Sequence, residues 1–175
     1  MVSDSETVWM AKLGDTPLGD IWVARSEKGL VAVDLWGDQG RFVDLVFRLT
    51  GVEADYDPQK LTAVNQHLAE YFSGQRKRFD DPIDWSIMTP FRQEALQVVN
   101  EIEYGQIRTY GDIARELGKP KAVRAVGRAN ATNPIPIIVP CHRVLGSDGR
   151  LRGYGAPGGV ETKAWLLRLE GSRLI

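Results

Sequence analysis

The chain has 175 residues, enough for one large domain or two small ones, and its 43% hydrophobic and 26% charged residues are ordinary for a soluble globular protein. Its longest apolar run, around Ile135 to Pro140, is too short to span a bilayer, and its acidic, polar first residues do not predict a signal peptide. One cysteine and two histidines exclude an internal disulfide and cannot complete a tetrahedral zinc site, so we expect an intracellular protein without bound metal.

The charge is unevenly distributed although the net charge is only −1. Residues 1–88 hold nine Lys or Arg against fifteen Asp or Glu, and residues 89–175 hold thirteen against eight. A basic second half is compatible with contacts to phosphate, and equally with electrostatic pairing between the two halves.

The first half predicts a sheet followed by helices. β-rich runs between turn signals predict three strands, over residues 7–13, 20–25 and 30–36. Helical spacing of apolar residues predicts a helix over residues 41–49, and Asp57-Pro58 predicts the capped start of another that ends at Gly74. Residues 75–88 have no clear period, so we predict that they connect an N-terminal domain, 1–88, to a C-terminal domain, 89–175.

The second half predicts a pair of short helices joined by a tight turn. Thr109 with Asp112 three residues later is a capping-box-like start for a helix over residues 110–117. Gly118 ends it, and a basic helix is predicted to begin at Pro120. This arrangement matches a helix-turn-helix, in which the second helix faces a DNA groove. The alternative is an ordinary surface helix with scattered arginines.

The segment after these helices contains the single cysteine. An apolar, β-branched run predicts a buried strand that ends at Pro140, followed by Cys141, His142 and Arg143. Cationic neighbours lower the pKa of a thiol and raise its content of thiolate, which is the nucleophile. A lone cysteine can also be a small buried hydrophobe, but the His-Arg pair favours chemistry. A glycine-rich loop or wing over 145–155 and a helix over 160–169 complete the chain.

Several of these segments together resemble the O6-alkylguanine-DNA alkyltransferase family. The resemblance extends over nearly all of residues 89–171, and the N-terminal half matches only in general layout. The matching segments, in order, are Thr109-Tyr110-Gly111, Arg124-Ala125-Val126-Gly127, Asn133-Pro134, Pro140-Cys141-His142-Arg143-Val144, Gly153-Tyr154, Trp165-Leu166-Leu167 and Glu170-Gly171.

The resemblance implies a two-domain α+β protein and a repair activity. Its N-terminal domain would be a ribonuclease-H-like antiparallel sheet with helices, and its C-terminal domain a winged helix-turn-helix that holds the cysteine. An alkyl group would pass irreversibly from O6 of guanine, or from O4 of thymine, to Cys141, once per molecule and without a cofactor. The expected partner is double-stranded DNA containing O6-alkylguanine. We expect a monomer in the cytoplasm, associated with the nucleoid through DNA, or in the nucleus of a eukaryote.

The resemblance also implies roles for individual residues. Cys141 would accept the alkyl group, His142 would deprotonate it through a water, and Glu170 would orient His142. Tyr110 would hydrogen-bond N3 of guanine, and Asn133 would brace the turn after the second helix. Arg124 would enter the base stack when the target nucleotide flips out. Further DNA contacts would come from Thr109, Lys121, Ala125, Gly127 and Arg128, and the guanine pocket would be lined by Pro136, Val144, Tyr154 and Gly155.

One departure and two alternatives qualify this interpretation. The loop Ala156-Pro157-Gly158-Gly159 is about two residues longer than the usual family spacing, which affects the rim of the pocket. A Cys-His acyl-transfer hydrolase would need an oxyanion hole, and no glycine-rich loop precedes Cys141 to supply one. A helix-turn-helix protein that only binds DNA would leave Cys141, His142 and Glu170 without a purpose.

Overall fold

The structure, a computed structural model, describes residues 7–172 and divides between Ile87 and Met88 into two units. The division lies one residue from the predicted domain boundary, and the outer ends of both predicted domains fall outside the described residues. Within the described part of the chain, no helix is both long and apolar enough to cross a membrane.

The first unit is organised by a four-stranded sheet. Its antiparallel meander consists of β1 (Val8–Thr16), β2 (Gly19–Ser26) and β3 (Leu30–Asp34), which are the three predicted strands. A further strand, β4 (Ala54–Tyr56), pairs in parallel with β1 and gives the order β3-β2-β1-β4. The sheet is therefore mixed rather than wholly antiparallel.

Both predicted helices of the first unit are present. α1 (Gln39–Thr50) buries Phe42 and Val46 in the hydrophobic core of the sheet. The side chain of Asp57 accepts a hydrogen bond from the Gln59 N–H at 3.0 Å, as its predicted capping role requires. The first turn is a 3₁₀ turn, so α2 (Thr62–Phe72) begins later than predicted.

Residues 75–88 do not simply connect the two units, contrary to the prediction. Ile83 forms a bridge with Leu30, and the buried Asp84 accepts a hydrogen bond from Ser26 Oγ at 2.7 Å. Gly29 has φ +148, and a Cβ there would lie 2.5 Å from the Pro82 carbonyl oxygen, so only glycine allows this approach. Residues 75–87 are part of the first unit, in which the backbone around Pro82 and Asp84 is hydrogen-bonded to Leu30 at the start of β3.

The second unit is mainly helical. It contains α3 (Pro90–Asn100), α4 (Tyr110–Glu116), α5 (Val123–Ala131) and α6 (Val160–Leu169). Two short strands, β5 (Arg108–Thr109) and β6 (Val144–Leu145), pair in parallel. The predicted bounds of the last helix are those observed, and the predicted capping box of Thr109 and Asp112 is present.

The basic helix begins three residues later than predicted, at Val123 rather than Pro120. The Ala122 N–H donates to the Lys119 carbonyl at 2.8 Å, so a tight turn occupies this stretch. Gly118 reverses the chain at φ +68 after α4. Lys121 therefore lies in the turn, whereas Arg124 and Arg128 lie on α5.

Candidate active site

The cysteine lies on a turn and not at the end of a strand. Cys141, His142 and Arg143 form a single 3₁₀ turn, and Ile137 just before them adopts the left-handed region at φ 73. The prediction of a buried strand here was wrong because the side chain of Asn133 replaces strand pairing. Its amide donates to the Val139 carbonyl at 2.9 Å, and its oxygen accepts from the Ile135 N–H at 3.0 Å.

A buried ionic network lies beside the cysteine. His142 Nε2 is 2.7 Å from Glu170 Oε1, and neither side chain is exposed to solvent. Arg143 donates to both oxygens of the same carboxylate, at 2.8 and 2.9 Å, and also to the Ile102 carbonyl. The end of α6 thus brings Glu170 to both residues that follow the cysteine. The bidentate contact from Arg143 was not predicted from the sequence.

The positive charge that acts on the thiol does not come from its sequence neighbours, contrary to what the sequence suggested. Burial raises the pKa of Cys141, while a hydrogen bond from Asn133 and the charge of Lys163 act against that rise. Burial lowers the pKa of His142 and favours its neutral form. Arg143 is directed to Glu170, so the cation that acts on the sulfur comes from α6.

Lys163 is the residue that sequence reasoning missed. It is buried on α6, and its Nζ donates to the Val144 carbonyl at 2.7 Å. The available signal was its position: Lys163 precedes Leu166 and Leu167 by three and four residues, which places it on the apolar face of the helix.

The predicted catalytic Tyr110 and two predicted pocket residues, Tyr154 and Gly155, lie in this part of the second unit. Tyr110 begins α4, and its ring centroid is 5.9 Å from Lys163 Nζ. The Tyr154 hydroxyl is buried without a hydrogen-bond partner in the described structure. Burial, followed by the charge of Cys141, raises the pKa of both phenols. A Cβ at Gly155 would lie 3.3 Å from the Ala131 carbonyl oxygen, so this loop passes close to the end of α5.

The remaining pocket residues flank the cysteine turn. Pro136 is half-buried and forms a bridge with Val139. Val144 is buried in β6, and its carbonyl holds Lys163. The second unit therefore contains the predicted catalytic tyrosine of α4 together with the predicted pocket residues around the cysteine turn and in the loop before α6.

The exposed face of α5 is basic. Lys121, Arg124, Ala125 and Arg128 are exposed, and a Cβ at Gly127 would meet nothing within 4 Å. Thr109 is occupied as a cap, since its hydroxyl oxygen accepts from the Asp112 N–H at 3.1 Å. Over residues 7–172, ion pairs engage the second-unit cations Arg108, Arg115, Lys119, Arg150 and Arg152. None is found there for Lys121, Arg124 or Arg128, whose charges face solvent.

Fold and site together are those of a cysteine-dependent transferase with a helix pair suited to DNA. Residues 90–172 match the DNA-binding domain of 6-O-methylguanine DNA methyltransferase, and residues 10–85 match its ribonuclease-like domain. The chain belongs to the 6-O-methylguanine DNA methyltransferase family. This finding confirms the family predicted from the sequence.

Individual relatives resemble the chain over most of its length. The constitutive methylated-DNA–protein-cysteine methyltransferase of Bacillus subtilis is 43% identical over 156 residues, which cover 89% of this chain and 92% of that protein. A crystal structure of Mycobacterium tuberculosis O6-methylguanine methyltransferase superimposes with a TM-score of 0.78 at 35% identity, covering 94% of this chain and 93% of that one. A structure of Mycobacterium tuberculosis OGT in complex with DNA gives 0.77 at 36% identity, covering 92% and 91%. The predicted α+β two-domain fold class is confirmed.

Proposed function

We propose that this chain repairs DNA by direct reversal, moving the alkyl group of O6-alkylguanine, or of O4-alkylthymine, irreversibly to Cys141. The main support is that the only cysteine of the chain lies in a buried turn beside a His-Glu pair, within the domain that matches this family. Relatives 38–43% identical are named methylated-DNA–protein-cysteine methyltransferases.

In the proposed reaction the thiolate of Cys141 attacks the alkyl carbon. The S–C bond forms as the C–O6 bond breaks, and the bonding electrons remain on the guanine. The base then needs a proton, and the Tyr110 phenol, half-buried at the start of α4, would supply it at N3. The product is a stable thioether, so each molecule acts once.

The hydrogen bonds of His142 suit a role in deprotonating the thiol. Its Nε2 is hydrogen-bonded to Glu170, whereas its buried Nδ1 has no hydrogen-bond partner in the described structure. A carboxylate on Nε2 favours the tautomer with the proton there, which leaves Nδ1 as an acceptor. A water between Nδ1 and the sulfur would carry the proton. Asn133 would hold the turn and donate to the sulfur.

The proposed partner is double-stranded DNA, bound through the α4–α5 pair as a winged helix-turn-helix. The solvent-facing charges of Lys121, Arg124 and Arg128 support phosphate contacts, and the small residues Ala125 and Gly127 permit a close approach. Arg124, exposed on the first turn of α5, would occupy the space left by the flipped nucleotide. The M. tuberculosis relative determined with DNA supports this choice of partner. We further propose a monomer in the cytoplasm with residues 1–88 and 89–175 as its domains.

A titration tests the proposed activity. Increasing amounts of DNA with O6-methylguanine are incubated with a fixed amount of protein, and repaired guanine is counted. We expect repair to stop at one equivalent and Cys141→Ala to repair none. Repeated turnover would indicate a hydrolase-like enzyme, and full repair by Cys141→Ala would contradict the assignment of the acceptor.

A further inference from the structure

α6 carries a lysine on its buried face. Lys163 is 1% exposed and shares that face with the buried Leu166 and Leu167. Its Nζ donates to the Val144 carbonyl at 2.7 Å and lies 3.4 Å from the Arg152 carbonyl. Carbonyl oxygens satisfy the hydrogen bonds of an ammonium group but bring no net negative charge. The buried positive charge therefore still requires a partner.

No carboxylate supplies that partner within residues 7–172. The salt bridges found there leave Lys163 out, and the buried carboxylate of this unit, Glu170, is bound by His142 and by Arg143. The ionisable group available to Lys163 is Cys141, because Val144, whose carbonyl accepts from Lys163 Nζ, directly follows the Cys141–Arg143 turn. Burial raises the pKa of Cys141, and the charge of Lys163 opposes that rise. Burial lowers the pKa of Lys163 to about 8, and a negative sulfur opposes that change.

With Lys163 protonated, the charges of these buried groups balance when the cysteine is ionised. Glu170, whose pKa burial would raise, is kept ionised by the hydrogen bonds and charges of His142 and Arg143, and it offsets the charge of Arg143. Burial favours the neutral forms of three other ionisable side chains, those of His142, Tyr110 and Tyr154. With Cys141 as a thiol, the group therefore has a net charge of +1, which is that of Lys163. With Cys141 as a thiolate, the net charge is zero. Burying an unpaired charge is costly, so this arrangement favours the ionised sulfur.

We propose that Lys163 is the counterion of the Cys141 thiolate, and thereby a positioning residue of the alkyl-transfer reaction, held next to the cysteine turn by the Val144 carbonyl. This role rests on the proposed function of Cys141 as the nucleophile. It differs from the role of His142, which moves a proton, because Lys163 keeps its proton and acts through its charge.

Titration of the single thiol tests the proposal without DNA. Thiolate is followed by its ultraviolet absorbance against pH, and the same titration of Cys141→Ala is subtracted to remove the tyrosines. Lys163→Met removes the charge and preserves the length of the side chain. Because an opposite charge nearby shifts a pKa by about 1–3 units, we expect the thiol to titrate at least about one unit higher than in the wild type. Its thiolate fraction at neutral pH falls about tenfold for each unit.

Two further variants separate charge from structure. Lys163→Gln keeps a donor for the Val144 carbonyl without the charge, and it should raise the pKa of the thiol as Lys163→Met does. Lys119→Met removes an exposed lysine paired with Glu94, and it should leave the thiol titration unchanged. Circular dichroism establishes that each variant is folded.

The titrations distinguish stabilisation of the thiolate by the charge of Lys163 from a purely structural role of its side chain. If folded Lys163→Gln titrates like the wild type, the ammonium charge does not stabilise the thiolate and the proposal is wrong. The repair function can fail separately: a thiol that depends on Lys163 but takes no alkyl group from DNA would refute the function and leave the counterion in place.

Discussion

Replacing Glu170 by Gln tests the buried network directly. The substitution keeps the size of the side chain and removes the negative charge that faces Arg143. The guanidinium side chain is 7% exposed and the carboxylate is not exposed at all, so solvent cannot replace the lost partner. We expect a large loss of stability in the second unit as well as slower alkyl transfer.

The expected magnitude follows from the burial of the pair. Removing one partner of a buried ion pair costs about 3–5 kcal/mol, because the other charge stays buried and uncompensated. Gln retains one oxygen that can accept from Arg143, so the lower end, about 3 kcal/mol, is the appropriate value. Glu161→Gln is the matched control: Glu161 is exposed in the first turn of the same helix, and its loss should cost no more than about 1 kcal/mol.

Urea unfolding, followed by fluorescence and circular dichroism, measures the free energy of unfolding of the wild type, of Glu170→Gln and of Glu161→Gln.

The pH dependence of the free energy of unfolding gives a second check. The contacts to Glu170 hold its pKa below the ordinary value, so its contribution is complete above about pH 4.3 and is lost as the pH falls further. The difference between wild type and Glu170→Gln should therefore shrink in acid. A loss no larger than that of Glu161→Gln, or a difference independent of pH, would refute the assignment of Glu170 as the counterion of Arg143.

Further expectations concern DNA binding, catalysis and the helix cap. Affinity for duplex DNA, measured by fluorescence anisotropy, should fall steeply with salt, and a flat response would contradict phosphate binding by α5. Arg124→Ala should slow repair of duplex DNA far more than reaction with free O6-benzylguanine; equal losses would assign Arg124 to the fold. His142→Ala should lower the single-turnover rate at neutral pH and recover much of it in alkali, where the thiol ionises unaided, whereas a parallel loss at every pH would exclude deprotonation as its role. Thr109→Ala should cost about 1 kcal/mol in urea unfolding, and no loss would mean that its capping box contributes nothing.

Local sequence signals predicted the elements that have a periodic pattern of apolar residues or are bounded by turn residues. Turn residues separate β1, β2 and β3, and α6 has an apolar face and is bounded by a glycine at each end. β4 has three residues, none of them buried, so its pairing depends on β1 and leaves no trace in its own composition. The start of α5 was misplaced because Pro120 can open a helix or a turn, and only the Ala122–Lys119 hydrogen bond selects the turn.

The site was predicted in its reactive residues but not in its electrostatics. The resemblance identified Cys141, His142 and Glu170, and the structure places His142 and Glu170 in contact. The adjacent Arg143 suggested a cation for the thiol, but its side chain reaches Glu170, 27 residues away along the chain. Such long-range pairing overrides sequence proximity and cannot be read from a local motif.

Mass spectrometry of the protein after reaction tests the central claim most directly. The wild type is incubated with duplex DNA containing one O6-methylguanine, and the intact mass is followed by peptide mapping. We predict a gain of one methyl group for each molecule that has reacted, located on Cys141, with unmodified guanine left in the DNA. An unchanged protein mass with repaired DNA, or a methyl group on any other residue, would contradict transfer to the single cysteine.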